Sequence, residues 1–244
     1  MTMNRRSTKR EARRRQLLDA AMAIVVDEGL DSLTVAGIAK RLDAAVGSLY
    51  RYFPGKDALV VGLQERAIRD FHDFLEARLT AARRQLGDDR DTPVGRLALI
   101  LVAFSSYLDD RAADASRHRL LDAFLSTPSP VLPDEHARAV DQVLAPLLDA
   151  IARLLDAAVE AGDLDRGDNR VRTHVGWATV HGLDHLRKRD RILAEELRVP
   201  HLFDETWAAL LHGWGASSEA IAATFARRGT LDLDVSAVEP VADA

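Results

Sequence analysis

Apolar positions recur every three to four residues along almost the whole chain, and no stretch alternates strictly enough to read as a strand. Ala, Leu, Arg and Glu, all good helix formers, dominate. Leu17, Leu18, Ala21, Ile24 and Val25 predict a first helix over about 9–28, which Gly29 ends as a left-handed cap residue. A short second helix begins after Thr34, a suitable N-cap, and carries Val35, Ile38, Ala39 and Leu42. A tight turn near Asp43 leads to a third short helix over about 45–51. Pro54-Gly55 makes a turn, and a fourth helix covers about 56–85. Beyond the polar stretch 87–93, helices fit about 93–110, 114–126, 134–161, 170–190, 203–213 and 217–228. Pro146 is expected to kink the long 134–161 helix. Residues 229–244 are acidic, lack helical period, and are expected to be frayed or disordered. The pattern is all-α, without internal repeats.

Two short helices joined by a tight turn make a helix-turn-helix, here LTVAGIAKRLDAAVGSLYRYF over 33–53. Ile38 and Ala39 give the first of them a small apolar inner face. Leu49 and Phe53 anchor the rear of the second. It is rich in small residues, Ala44, Ala45, Gly47 and Ser48, which let a helix sit deep in a major groove. Tyr50, Arg51 and Tyr52 supply hydroxyls and a guanidinium suited to phosphates.

Charge sharpens this picture. The net charge of −5 hides an uneven distribution: residues 1–56 hold 11 Lys and Arg against 6 Asp and Glu, the remainder 22 against 32. A basic end on an acidic body suits a meeting with an anion, although a solvated basic tail has the same composition. Arg5, Arg6, Lys9, Arg10, Arg13, Arg14 and Arg15 form an arm expected to reach phosphates or the minor groove. There is no Cys, which excludes disulfides and thiol catalysis. No apolar stretch follows the basic start as a secretory signal requires, and the longest apolar run, 97–104, is too short for a membrane span. A cytoplasmic protein without membrane contact is expected.

The chain resembles the tetracycline-repressor (TetR) family of bacterial regulators over about residues 13–63. The resemblance rests on Ala20-Ala21, Glu28-Gly29, Leu33-Thr34-Val35, Ile38-Ala39, the run Gly47-Ser48-Leu49-Tyr50-Arg51-Tyr52-Phe53-Pro54-Gly55-Lys56, and Leu59. Weaker likenesses lie at 177–183 and 210–216. The resemblance implies a DNA-binding domain over 1–55, a helical ligand-binding and dimerisation domain over 56–228, and a tail over 229–244. It implies a phosphate contact at Thr34, groove contacts at Val35 and Ala36, and base-facing positions at Ala45, Val46 and Ser48 around Gly47. Phosphate contacts are implied at Tyr50, Tyr52 and Lys56, the last at a helix N-terminus. The chain departs from the family where Asp43 replaces a glycine in the turn and Ala44-Ala45 replace Val-Ser. No Arg, Asn or Gln leads the recognition helix, so thymine methyls and DNA shape would carry base readout.

Other chemistry is thinner. His181 and His185 are one helical turn apart beside Asp184, but two ligands do not define a zinc site, and core or interface histidines fit as well. The serines lack the strand-turn-helix setting of hydrolases, so no enzyme, cofactor or metal is expected. Phe71, Phe104, Tyr107, Phe124 and Trp177 either fill a core or line an apolar cavity, with His118, His174 or His181 as polar anchors. Val175, Ala178, Gly182, Trp207, Leu210, Leu211 and Trp214 suit a two-fold helical dimer face; intramolecular packing is the alternative. The resulting expectation is a homodimer on a palindromic duplex DNA operator, a repressor released by a small hydrophobic effector. The alternative is a DNA-binding regulator controlled by a protein partner.

Overall fold

A computed structural model describes residues 5–29, 32–126 and 133–234. Among them there is no strand, and the chain is all-α as expected. The helices are α1 (Arg5–Glu28), α2 (Val35–Arg41), α3 (Val46–Leu49), α4 (Lys56–Leu86), α5 (Pro93–Ala113), α6 (Ala115–Ser126), α7 (Asp134–Glu160), α8 (Asn169–Leu186), α9 (Val199–Gly213) and α10 (Ser218–Arg228). The chain divides into two compact units, residues 1–69 with 119–144, and residues 70–118 with 145–244. No helix among the described residues is long and apolar enough to cross a membrane.

In the first unit, α1 packs on α2 and α2 on α3. Leu17, Ala21, Leu33, Ile38, Leu49, Phe53 and Leu59 are buried in its core. Gly29 ends α1 at φ +87°, a conformation that costs glycine nothing. Thr34 caps α2 as expected, its hydroxyl accepting a 2.9 Å hydrogen bond from the Gly37 amide. Asp43 adopts φ +46° in the turn before α3, and aspartate tolerates that region better than most side chains. The basic arm is not extended: residues from Arg5 onward are already α1. Arg14 is turned inward, 3.3 Å from Glu65 and 5.6 Å from the Phe53 ring centroid, so it leaves the set expected to contact DNA.

The second unit is built round α5. Every residue from Leu97 to Leu108 is buried, which marks a helix enclosed on all sides. Thr92 caps it, accepting from the Gly95 amide at 3.2 Å, and Pro93 stands in its first turn, where no N–H is needed. α8 and α10 pack on α5, and α9 on both α8 and α10. At Gly176 a Cβ would stand 2.5 Å from the Phe104 ring, so only glycine lets α8 approach that closely. The Trp207 ring lies 4.3 Å from Phe104. α7 continues through Pro146 as one helix. The tail departs from expectation at its start, because Asp232 and Leu233 are hydrogen-bonded to Gln85 and Arg78 of α4. Residues 235–244 lie outside the described residues.

Candidate nucleic-acid interface and regulatory core

The second short helix of the helix-turn-helix presents its leading end to solvent. Ala45 and Gly47 are exposed, Val46 is 40% exposed, and Ser48 is half-buried with its hydroxyl donating to the Ala45 carbonyl at 2.7 Å. A Cβ on Gly47 would meet nothing within 4 Å. Packing therefore does not demand glycine there, whereas close approach to a ligand surface would. Tyr50 and Arg51 are exposed, and Tyr52 is half-buried. Lys56 is exposed at the first residue of α4, where amides left without helical partners and the macrodipole favour an anion. In α2, Ala36 is exposed and Thr34 spends its side-chain acceptor on the helix. Val35 is buried, 6% exposed. It faces the core of its own unit and so is removed from the expected groove contacts. Ala45 makes no side-chain cap for α3, in keeping with the hydroxyl missing at that position.

In the second unit, the structure brings together five of the residues singled out as core or cavity lining. Tyr107 stands edge-on to Phe71 with ring centroids 6.1 Å apart, 4.9 Å from His118 and 4.1 Å from His181. Trp177 follows, 5.5 Å from His181. Phe104 belongs elsewhere, against Trp207 and Gly176. His174 is exposed, its Nδ1 2.8 Å from the Arg170 carbonyl. The Phe124 side chain lies outside the described residues.

His118 is also the hub of a buried ionic cluster. Its Nε2 donates to Asp184 at 3.0 Å, and its Nδ1 stands 3.7 Å from Asp110. Arg111 donates to Asp184 at 2.8 Å and Arg117 to Asp110 at 2.6 Å. Arg187 stands 3.5 Å from Asp184. Burial pulls the His118 pKa down, but its bonds to Asp110 and Asp184 outweigh burial and leave it raised. Burial likewise works against the Asp184 carboxylate, yet His118 and Arg111 hold its pKa at about 2. Asp110, His118 and Asp184 come from three different helices, so sequence periodicity does not pair them; along the chain Asp184 is near only His181 and His185. Among the described residues, no group of three or more His, Asp or Glu is arranged to hold a metal ion.

The expected dimer face is corrected in part. Trp207 and Leu211 are 0% exposed within their own chain, because Phe104 and Phe203 cover the indole. They are core residues. Val175, Ala178 and Gly182 remain exposed on α8, in line with exposed Val171 and Leu186, while Leu210 and Trp214 are half-buried.

Residues 17–63 match the bacterial regulatory proteins of the tetR family. The chain is 27% identical over 171 residues to the HTH-type transcriptional regulator BetI of Burkholderia cenocepacia, covering 64% of this chain and 87% of that one. It is 46% identical over 55 residues to the HTH-type transcriptional repressor KstR of Mycobacterium tuberculosis, 22% of this chain and 25% of that one. In fold it is similar to the transcriptional regulator FadR of Bacillus subtilis in complex with stearoyl-CoA, with a TM-score of 0.59 and 20% identity over 81% of this chain and 97% of that one. It is also similar to SmeT, the repressor of the Stenotrophomonas maltophilia multidrug efflux pump SmeDEF, with a TM-score of 0.56 and 22% identity over 85% and 92% of the two chains. Over residues 17–63 the chain is similar to the bacterial regulatory proteins of the tetR family, and this stretch carries the helix-turn-helix at α2 and α3; over most of its length its fold is that of solved regulators.

Proposed function

We propose that the chain is a homodimeric repressor, without enzymatic activity, that binds a palindromic operator through residues 1–55 and is released by a small hydrophobic effector held within 56–228. The observation that carries the DNA reading is the unpacked leading end of α3: Ala45, Val46 and Gly47 are exposed with no demand from packing, and Lys56 opens the next helix. Base preference then rests on Val46 and Ser48, while Tyr50, Arg51, Tyr52 and Lys56 hold phosphates. The dimer reading is supported by the exposed small and aliphatic line Val171, Val175, Ala178, Gly182 and Leu186 on α8.

The effector reading is supported by the buried aromatic and ionic cluster round Tyr107, His118 and His181, and by a fold neighbour solved with stearoyl-CoA. An effector must prefer the DNA-incompetent state, because equal affinity for both states shifts nothing. Selection of bound fragments from a random duplex library tests the first half. The expected product is a palindrome whose half-sites are about one helical turn apart. Lys56→Ala should weaken binding to all sequences alike, and unchanged affinity at moderate salt would remove the phosphate role. Stearoyl-CoA is the first effector probe, with an expected loss of DNA affinity of roughly 5–150-fold. An operator complex indifferent to acyl-CoAs and to a panel of apolar small molecules would overturn the effector half and leave the DNA half standing.

A further inference from the structure

The large apolar side chains exposed in the second unit lie on α8 and in the segment that follows it: Val171, Val175, Leu186, Ile192 and Leu197. With exposed Ala178 and Gly182, the first three form one line along the helix. The spacing of that line is palindromic. Val171 and Leu186 are equidistant from the point between Ala178 and Thr179, and so are Val175 and Gly182. Laid antiparallel against a second copy, the line meets itself: Val171 faces Leu186, Val175 faces Gly182, and Ala178 stands at the two-fold axis. The two glycines of α8 have different grounds. Gly176 is required by the Phe104 ring, whereas a Cβ on Gly182 would meet nothing within 4 Å. A glycine inside a helix is destabilising relative to alanine, and nothing in the packing of its own chain offsets this at Gly182. The Val175 side chain of a second copy, seated where the Cβ is missing, does.

Charge fits the same register. Asp168 caps α8, its Oδ1 accepting from the Arg170 amide at 3.0 Å and the Val171 amide at 3.1 Å. An open groove of about 430 Å³ lies at that end of the helix, where Asp149, Asp156 and Asp168 outnumber Arg153 and Arg170. The other end of α8 runs into Lys188, Arg189 and Arg191, all exposed and, among the described residues, in no ion pair. Asp168 and Arg189 are again equidistant from the point between Ala178 and Thr179. Antiparallel pairing therefore brings the acidic groove of each copy to the basic end of the other, whereas parallel pairing would set like ends together. The helix macrodipoles give the same preference. Arg170 and Arg187, which this register also brings level, are paired within their own chain, with Asp149 at 3.7 Å and Asp184 at 3.5 Å.

We infer that α8 is the seam between two copies of this chain: they pair antiparallel along it and cross at Ala178, with Val175 of each seated on Gly182 of the other and Arg189 of each in the groove beside Asp168 of the other. The inference rests on the homodimer reading above and adds the seam, its direction and its register. It also makes the face selective for its own kind. A related helix with a side chain at the Gly182 position would meet Val175 head-on, and one without the basic end would leave the acidic groove uncompensated.

The chain has no cysteine, so single cysteines at exposed positions report the seam in the full-length protein. Under mild oxidation Ala178→Cys should form a disulfide-linked dimer. Val171→Cys alone should not, because its mate lies roughly 22 Å away along the helix axis. Val171→Cys mixed with Leu186→Cys should give the mixed linked dimer. In a parallel seam Val171→Cys would link to itself as readily as Ala178→Cys. Gly182→Leu should turn dimer into monomer in light scattering, with its helical circular dichroism kept. Arg189→Gln and Asp168→Asn, the latter keeping a capping side chain, should each weaken dimerisation by about two- to thirtyfold, and together by no more than the stronger of the two. A native chain that is monomeric at micromolar protein overturns the homodimer reading and this inference with it. A native dimer in which Val171→Cys links to itself, or in which neither Ala178→Cys nor the mixture links, overturns the inference and leaves the homodimer standing.

Discussion

At the scale of single residues, the turn and the ionic cluster carry the sharpest consequences. Asp43 sits at φ +46°, where a Cβ is crowded and a branched side chain more so. Asp43→Val should cost about 1–2 kcal/mol in a urea unfolding series, and Asp43→Gly should be tolerated. The His118 cluster gives a pH signature with a definite sign. The His118 pKa is raised above its ordinary 6.5 by Asp110 and Asp184. Its contribution is therefore complete below 6.5, where the folded and unfolded states both hold the proton, and is lost as pH rises through the raised folded value. Asp184 runs the other way: with a pKa of about 2 against an ordinary 3.8, its contribution is present above 3.8 and lost as pH falls through about 2. Unfolding midpoints of the native chain and His118→Gln, measured from pH 5 to pH 9, should converge as pH rises. A constant gap would mean that His118 acts by shape alone.

At the scale of elements, the two faces of α8 have opposite duties. The inner face meets α5 at Gly176, where an added Cβ would strike the Phe104 ring at 2.5 Å. Gly176→Ala should therefore destabilise the fold by roughly 1–3 kcal/mol through overpacking. Trp207→Ala, in the same layer, should cost about 3–5 kcal/mol. The outer face carries exposed Val171 and Val175. Val175→Arg should leave the melting temperature of the isolated chain little changed, yet place a charge in the proposed dimer interface. Light scattering at micromolar protein should then report dimers for the native chain and monomers for Val175→Arg. If the native chain is itself monomeric, two-fold operator reading is lost with it.

At the scale of the whole molecule, charge separation sets how the chain meets DNA. The basic excess lies within residues 1–56, and the remainder is acidic. Operator affinity should fall steeply with salt, since phosphate contacts release counterions. Lys56→Ala should reduce the slope of log affinity against log salt by about one. A slope unchanged by that substitution, measured between about 50 and 200 mM salt, would place Lys56 outside the phosphate contacts.

The sequence by itself determined the helical architecture, because helix formation is local. The 3.6-residue apolar period, Thr34 as cap, Gly29 as stop and Pro93 at a helix start each act within a turn or two of their own position. It also determined the helix-turn-helix, since α2, the turn at Asp43 and α3 follow one another without a break. The exposure of individual side chains was legible where it follows from the pattern, as at Val46 and Tyr50. Val35 was misread because a residue at a helix boundary can face either way until the neighbouring helix is in place, and Arg14, inside α1, because its partners Glu65 and Phe53 lie far along the chain. Trp207 and Leu211 were misread for a related reason: an apolar helix face asks to be covered, and nothing along the chain says whether the cover is a second molecule or Phe104 and Phe203 of the same one. The pairing of His118 with Asp110 and Asp184, and the hold of Gln85 on Asp232 across 147 positions, depend on which helices meet and at what height. That is fixed by the packing of many side chains at once, and only the tertiary structure decides it.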